Sequence, residues 1–443
     1  MRKGEISLGK LRLLYSSNAP WASSGYGVQG QSLLPRLAKL PEIDGRDNIG
    51  IFAWYGLQGG IHNVSGFRVY PAGADAYGND IIAAHTKDFA ANVVISLIDV
   101  WVMHGTAEKV KPALWCPWLP IDHDPVPQRV LDCLKGAHLP LTYSKWGAKM
   151  LADAGVVNHY IPHGIEPGVF RVLDDRAKVA EFRKAVFGPD CDHLAVIVAA
   201  NKGYPDRKAF QVQIRAWASF AKDKPGARLY IHTEPTPMYG GLDLPELCKN
   251  LGILDRVMFP DRYKNFLGMP ADYLAMLYNA ADVYLGATMS EGFGIPIVEA
   301  QACGTPVIVT DFSAMPELVR WGYAIQPRDM IWTPQNSWQA WPDHEGITDA
   351  LNSLHEQQHG QPWALSSRLK TSAAIHSEYS WDAIVRDQWR PLMARLAGEV
   401  AGPKTAAAPV TTATERKRGK VLQLVEPPAL EVHQNGQKEL VAA

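Results

Sequence analysis

The chain has 443 residues, 47% apolar and 20% charged, with a formal net charge of −1. That length leaves room for two domains with full cores, and the charge balance gives no global field to draw the protein onto nucleic acid or an acidic membrane. The five cysteines (Cys116, Cys133, Cys191, Cys248 and Cys303) are widely spaced and form no C-x-x-C pair. Neither a zinc site nor a disulfide framework is expected, and a reducing cytoplasm is the simplest setting.

The N-terminal segment is basic, but its apolar run is too short for a signal peptide. No run reaches the ~18–20 apolar residues of a membrane span. Short apolar runs then read as buried strands at 10–17, 48–55, 92–98, 194–200, 227–233, 282–288 and 305–311. Helix-like segments lie between them, among them 26–40 and 207–223. The second has Phe210, Ile214, Trp217 and Ala218 at helical spacing. Strands alternating with helices imply parallel sheets, and near-continuous apolar strands imply sheets covered on both faces.

Two such series are present. The fold class expected is α/β, with two Rossmann-like doubly wound parallel-sheet domains facing a cleft. The boundaries expected are 1–175 for the N-terminal domain, 176–378 for the C-terminal domain and 379–400 for a closing helix. Residues 171–192 read as a linker with a short helix, and 330–341 as a Trp-rich surface insertion, either an acceptor contact or, preferably, a packed flap. The segment 401–443 is Ala/Thr/Pro-rich without period and reads as a disordered tail. Its basic cluster Arg416, Lys417, Arg418 and Lys420 reads as solvated tail rather than a nucleic-acid contact.

Ligands of doubly wound sheets bind at the carboxyl ends of strands, so motifs that follow strands matter most. The stretch "SEGFGIPIVEAQACGTPVIVTD" sets Glu291 and Glu299 eight residues apart across a Gly-Phe-Gly turn, with Pro296 suited to a first helical turn. Gly292 and Gly294 let the backbone approach a ligand and present N–H groups at a helix N-terminus. On spacing alone, carboxylates there read equally as partners of the helix dipole. "AANKGYPDRKAF" places Lys202 and Lys208 six residues apart, with Arg207 between them. "NAPWASSGYGVQGQ" carries Gly25 and Gly27 after the first strand. "WCPWLPIDHDPVPQ" carries Asp122, His123 and Asp124 after an apolar run, and Asp99 ends another. A D-x-D metal site at 122–124 is the weaker alternative, since oxygen-ligand sites need more carboxylates than this loop supplies.

Together these motifs resemble, over nearly all of residues 10–398, the retaining GT-B glycosyltransferases of the E-x7-E type (family 4-like, group 1). The resemblance implies a transfer of sugar from a nucleotide-diphosphate sugar, UDP- or GDP-linked, to an acceptor hydroxyl with retention of configuration. It implies that Glu291 lies near the transferred sugar, that Phe293, Gly294 and Ile295 meet its hydroxyls, and that Glu299 binds the ribose. Lys202 and Lys208, with Arg207 in support, would stabilise the departing diphosphate. The family usually has arginine where Lys202 stands, and lysine lacks its planar fork. Gly25 and Gly27 would lie over the donor phosphates. His123, with Asp122 and Asp99, would face the acceptor. "YIPHGIEPGVF" resembles the family's interdomain turn, with His163 and Glu166 replacing Asn and Asp. No cofactor and no metal are implied. The acceptor stays open: small molecule, glycan, protein or modified nucleic acid. So does the oligomeric state. An epimerase or phosphorylase of the same fold, or a sugar-nucleotide-binding module without turnover, are the alternatives.

Overall fold

The computed structural model describes residues 10–203, 205–358 and 360–401, with short strand segments at 424–425, 430–432 and 438–440. Most of the tail, with its basic cluster at 416–420, lies outside the described residues. The described chain divides into two compact units. The first comprises 10–121, 125–164 and 381–401, and the second 122–124 and 165–380, to which the strand segments also belong.

The first unit is built on eight strands: β1 (Leu13–Asn18), β2 (Ile49–Tyr55), β3 (His62–Val64), β4 (Phe67–Tyr70), β5 (Val93–Leu97), β6 (Leu114–Leu119), β7 (Leu141–Thr142) and β8 (His159–Tyr160). Their order is β3-β4-β2-β1-β5-β6-β7-β8. All pairs are parallel except β3–β4. Every residue of β1 and β5 is buried, as their unbroken apolar character requires. The strand order reverses between β1 and β5, which makes their carboxyl ends the switch point of this sheet.

The helix Gly25–Leu37 follows β1. Its cap is Ser24, whose hydroxyl accepts the Gly27 N–H at 3.1 Å. A Cβ on Gly27 would stand 2.4 Å from the Ala22 carbonyl oxygen, so glycine is required there by packing alone. The segment 381–401 buries Trp389 against Trp118, ring centroids 5.0 Å apart. The turn residue His163 is enclosed in the first unit. It is buried against Tyr143 and Trp118 at 4.0 and 4.6 Å, and burial pulls its pKa down to about 3.

The second unit carries β9 (His193–Val198), β10 (Ala227–His232), β11 (Val257–Met258), β12 (Val283–Gly286), β13 (Val307–Thr310), β14 (Gly322–Ile325) and a hairpin of β15 (Pro327–Trp332) and β16 (Trp338–Pro342). The main sheet runs β11-β10-β9-β12-β13-β14, all parallel, with Leu424–Val425 added antiparallel at the β14 edge. Alternate residues of β9 serve opposite faces. Ala195 and Ile197 join a core with Trp217, Leu285 and Leu351. Leu194 and Val196 join another with Val179, Phe187 and Leu277. The order reverses between β9 and β12, the second switch point.

The seven runs expected as strands are all strands, mostly shorter by one to three residues. Both expected helices are present, as Gly25–Leu37 and Phe210–Phe220. The segment read as a linker with a short helix holds twelve helical residues, Arg176–Phe187. The short strands β7, β8 and β11 escape the sequence reading because two residues carry no period. The Trp-rich segment read as an insertion forms the end of β15, the turn and most of β16 of this hairpin. One of its faces, with Ile331 and Trp341, packs on the unit's core.

Candidate functional site

The β9 and β12 loops meet at the second switch point, and buried polar side chains fasten them together. Ala209 takes a left-handed conformation (φ 50°) and turns the chain from the β9 loop into the helix Phe210–Phe220. Gln213, fully buried on that helix, donates from Nε2 to the Lys208 carbonyl at 2.8 Å and accepts the Ala287 N–H at 3.2 Å. The Met289 N–H donates to the Arg207 carbonyl at 2.9 Å. Backbone positions 207, 208, 287 and 289 are thereby held in register, which preorganises the side chains between them.

Those side chains form a charged cluster. Lys208 Nζ donates to Glu291 Oε1 at 2.5 Å. Arg207 Nη1 donates to the Ser290 carbonyl at 2.6 Å and lies 3.6 Å from Glu291 Oε2 and 3.8 Å from Asp122 Oδ2. Asp122 Oδ1 is 2.6 Å from His123 Nδ1. Thr288 Oγ1 donates to Glu291 Oε1 at 3.2 Å, and the Glu291 N–H donates to Ser313 Oγ at 3.0 Å. Burial alone would raise the Glu291 carboxyl, but Lys208 and Arg207 outweigh it and hold the pKa below the usual range. Burial likewise opposes ionisation of Asp122, and His123, Arg207 and Lys208 reverse the sign. The Lys208 ammonium is pulled down by burial and by Arg207, against the attraction of Glu291. Two cations and two carboxylates fix positive charge in place while the set stays formally neutral.

The chain leaves this cluster through Gly294, whose φ of 109° only glycine adopts readily, into the helix Ile295–Ala302. Phe293 is buried, its ring 5.7 Å from that of Tyr379. Glu299 lies one turn into the helix, buried, with the Tyr278 hydroxyl donating to its Oε2 at 3.2 Å. Burial pushes its pKa up to about 7, which that hydrogen bond only partly offsets.

Of the residues singled out from sequence, Arg207, Lys208, Glu291, Asp122 and His123 come together. Lys202 does not join them: its ammonium lies over the Tyr239 ring, 5.3 Å from the centroid, and its backbone bridges to Gly240. The cation beside Lys208 and Glu291 is Arg207. Gly25, Gly27 and Asp99 belong to the first unit, at the carboxyl ends of β1 and β5, where the Tyr26 hydroxyl donates to Asp99 Oδ2 at 3.4 Å. Gln213, Thr288, Ser313 and Gln339 were missed. Only Gln213 left a signal, as an amide within an otherwise apolar helix face. Among the described residues no three His, Cys, Asp or Glu side chains stand close enough to hold a metal ion, and Asp122 is already engaged by His123 and Arg207. No described helix is long and apolar enough to cross a membrane.

Residues 194–356 match the family model described as glycosyl transferases group 1. A D-inositol 3-phosphate glycosyltransferase of Segniliparus rotundus is 29% identical over 254 residues, covering 56% of this chain and 49% of its own. The chain thus matches about half the length of that curated relative. In structure it is similar to a sucrose-phosphate synthase from Thermosynechococcus elongatus (TM-score 0.66, 17% identity, 86% of this chain and 99% of that one). It is also similar to WaaG, a glycosyltransferase involved in lipopolysaccharide biosynthesis (TM-score 0.61, 14% identity, 88% and 100%). The fold these similarities establish is GT-B, two parallel-sheet α/β domains.

Proposed function

We propose that the protein is a retaining glycosyltransferase that moves a sugar from a nucleotide-diphosphate donor to an acceptor hydroxyl. The observation that carries this reading is the Arg207–Lys208–Glu291 cluster at the switch point of the second sheet, inside the segment matched by the group 1 model. In the reaction the bond from the anomeric carbon to the diphosphate oxygen breaks, and that oxygen keeps the electron pair. Lys208 and Arg207, on rigid loops, stabilise the charge that develops there. The acceptor oxygen bonds the anomeric carbon from the face the diphosphate leaves. Its proton passes to the departing phosphate oxygen, so no protein base is required.

Glu291 meets the transferred sugar. An arriving diphosphate competes with it for Lys208, which couples donor binding to the position of that carboxylate. The backbone at Phe293, Gly294 and Ile295 addresses sugar hydroxyls, and Glu299 accepts from the ribose. His123, positioned by Asp122, serves the acceptor side. A thermal-shift screen of nucleoside diphosphates identifies the base, because a ligand that binds only the folded state raises its apparent stability. NMR of the product from the matching sugar nucleotide then reports the anomeric configuration. An inverted product, or no stabilisation by any nucleoside diphosphate, refutes the reading.

A further inference from the structure

We infer that the hairpin β15–β16 presents a tryptophan platform, Trp332 with Trp338, that receives a pyranose ring of the acceptor; this rests on the glycosyltransferase reading. The two residues are directly opposed in the hairpin register, with ring centroids 4.9 Å apart and planes at 71°. They remain 52% and 41% exposed. Cross-strand aromatic pairing stabilises a hairpin by itself. The attachment of this pair is what points further. The Trp338 N–H donates to the Asp124 carbonyl at 3.0 Å, and the Asp124 N–H donates back to the Trp338 carbonyl at 3.1 Å. The next residue, Gln339, donates from Nε2 to Ser290 Oγ at 2.6 Å, and the Ala340 N–H donates to the Met289 carbonyl at 3.1 Å. Three consecutive residues of β16 are therefore tied on one side to the Asp122–His123 loop and on the other to the loop that carries Glu291. The platform is anchored to both flanks of the charged cluster.

The chemistry of the surroundings selects the occupant. An indole face is apolar and electron-rich, and it attracts the weakly positive C–H face of a pyranose. Asp124, bonded to Trp338 through its backbone and exposed, offers a carboxylate acceptor for sugar hydroxyls. Nucleobases also stack on aromatics, but they arrive with phosphates and are held in positively charged grooves. The hairpin 327–342 carries one basic residue, Arg328, offset by Asp329. A neutral glycoside fits this surface better than a polyanion.

The test uses the full chain and the exposed substitutions Trp332→Ala and Trp338→Ala, singly and together. The probes are the methyl α- and β-glycosides of glucose, galactose and mannose, observed by saturation-transfer NMR with a saturating nucleoside diphosphate. At least one glycoside should receive saturation at its ring C–H protons, and the double variant should weaken its binding about tenfold, the scale of one lost aromatic contact. Stabilisation by the nucleoside diphosphate and slow donor hydrolysis should be unchanged. The inference is overturned if no glycoside binds, if binding survives in the double variant, or if an oligothymidylate binds instead and is lost with the tryptophans. It is equally overturned if the variants lose nucleotide binding as well, since the hairpin would then be a prop for the cluster. Failure of the wild type to bind any nucleoside diphosphate would instead count against the glycosyltransferase reading itself.

Discussion

Lys208→Met separates the structural from the chemical use of the central ion pair. Lys208 and Glu291 have side chains only 19% and 15% exposed, so the substitution leaves a carboxylate largely out of water. Removing one partner of such a pair costs roughly 3–5 kcal/mol. Arg207, 3.6 Å from the other carboxylate oxygen, remains as a partial substitute, which favours the low end. For a folding unit of this size, about 3 kcal/mol corresponds to a fall in Tm of roughly 6–12 °C. Glu291→Gln added to Lys208→Met removes the stranded charge and should recover most of that stability. Transfer should not recover with it. Loss of a preorganised contact to the leaving diphosphate costs roughly 2.7–4 kcal/mol of barrier, about a hundredfold or more in kcat. Calorimetry and a donor-turnover assay on the two single variants and the double variant complete the cycle. If the double variant regains activity together with Tm, Lys208 is there to hold Glu291 and not the diphosphate, and the reasoning fails.

Glu299 gives a pH signature. Burial raises its folded pKa to about 7, so the folded protein holds a proton that the unfolded chain has released, and stability should fall as pH rises from the ordinary carboxylate range through 7. Glu299→Gln should flatten that slope in urea titrations. If the carboxylate must ionise to accept from the ribose, affinity for the nucleoside diphosphate should rise about tenfold from pH 6 to 8 in the wild type and stay level in Glu299→Gln; a parallel rise in both would exclude the ribose role. Turnover should persist in EDTA, because Lys208, Arg207 and backbone N–H groups address the diphosphate; loss in chelator restored by Mg²⁺ or Mn²⁺ would revive the 122–124 metal reading. Removing residues 403–443 takes from the main sheet only the described two-residue strand Leu424–Val425 at the β14 edge, so Tm should fall little and donor hydrolysis stay within error, the rest of that composition lacking the apolar period needed to offset ordering entropy; a large drop in Tm would show that the tail packs on the core.

The sheets were legible because each central strand is buried on both faces. A run such as Leu194, Ala195, Val196 and Ile197 has no polar side to interrupt it, and such a run between helical segments has few other readings. Glu291 and Lys208 were legible for a related reason: strand–loop–helix turns at carboxyl ends are where doubly wound sheets place ligands, and both residues follow such strands. The sequence by itself thus determined the fold class and pointed to two loops of the candidate site. It did not determine which cation stands beside Lys208, because Lys202 and Arg207 are both basic and both in the β9 loop; the Lys202 bridge to Gly240 and the Arg207 bond to the Ser290 carbonyl decide that. Nor did it place Asp122 and His123 beside Glu291, or pair Trp338 with Asp124. Those contacts join segments 168 to 214 residues apart, and no local period encodes them. They exist because a parallel sheet whose strand order reverses brings the β9 and β12 loops together, and because the hairpin closes against them through backbone hydrogen bonds that any residue can make.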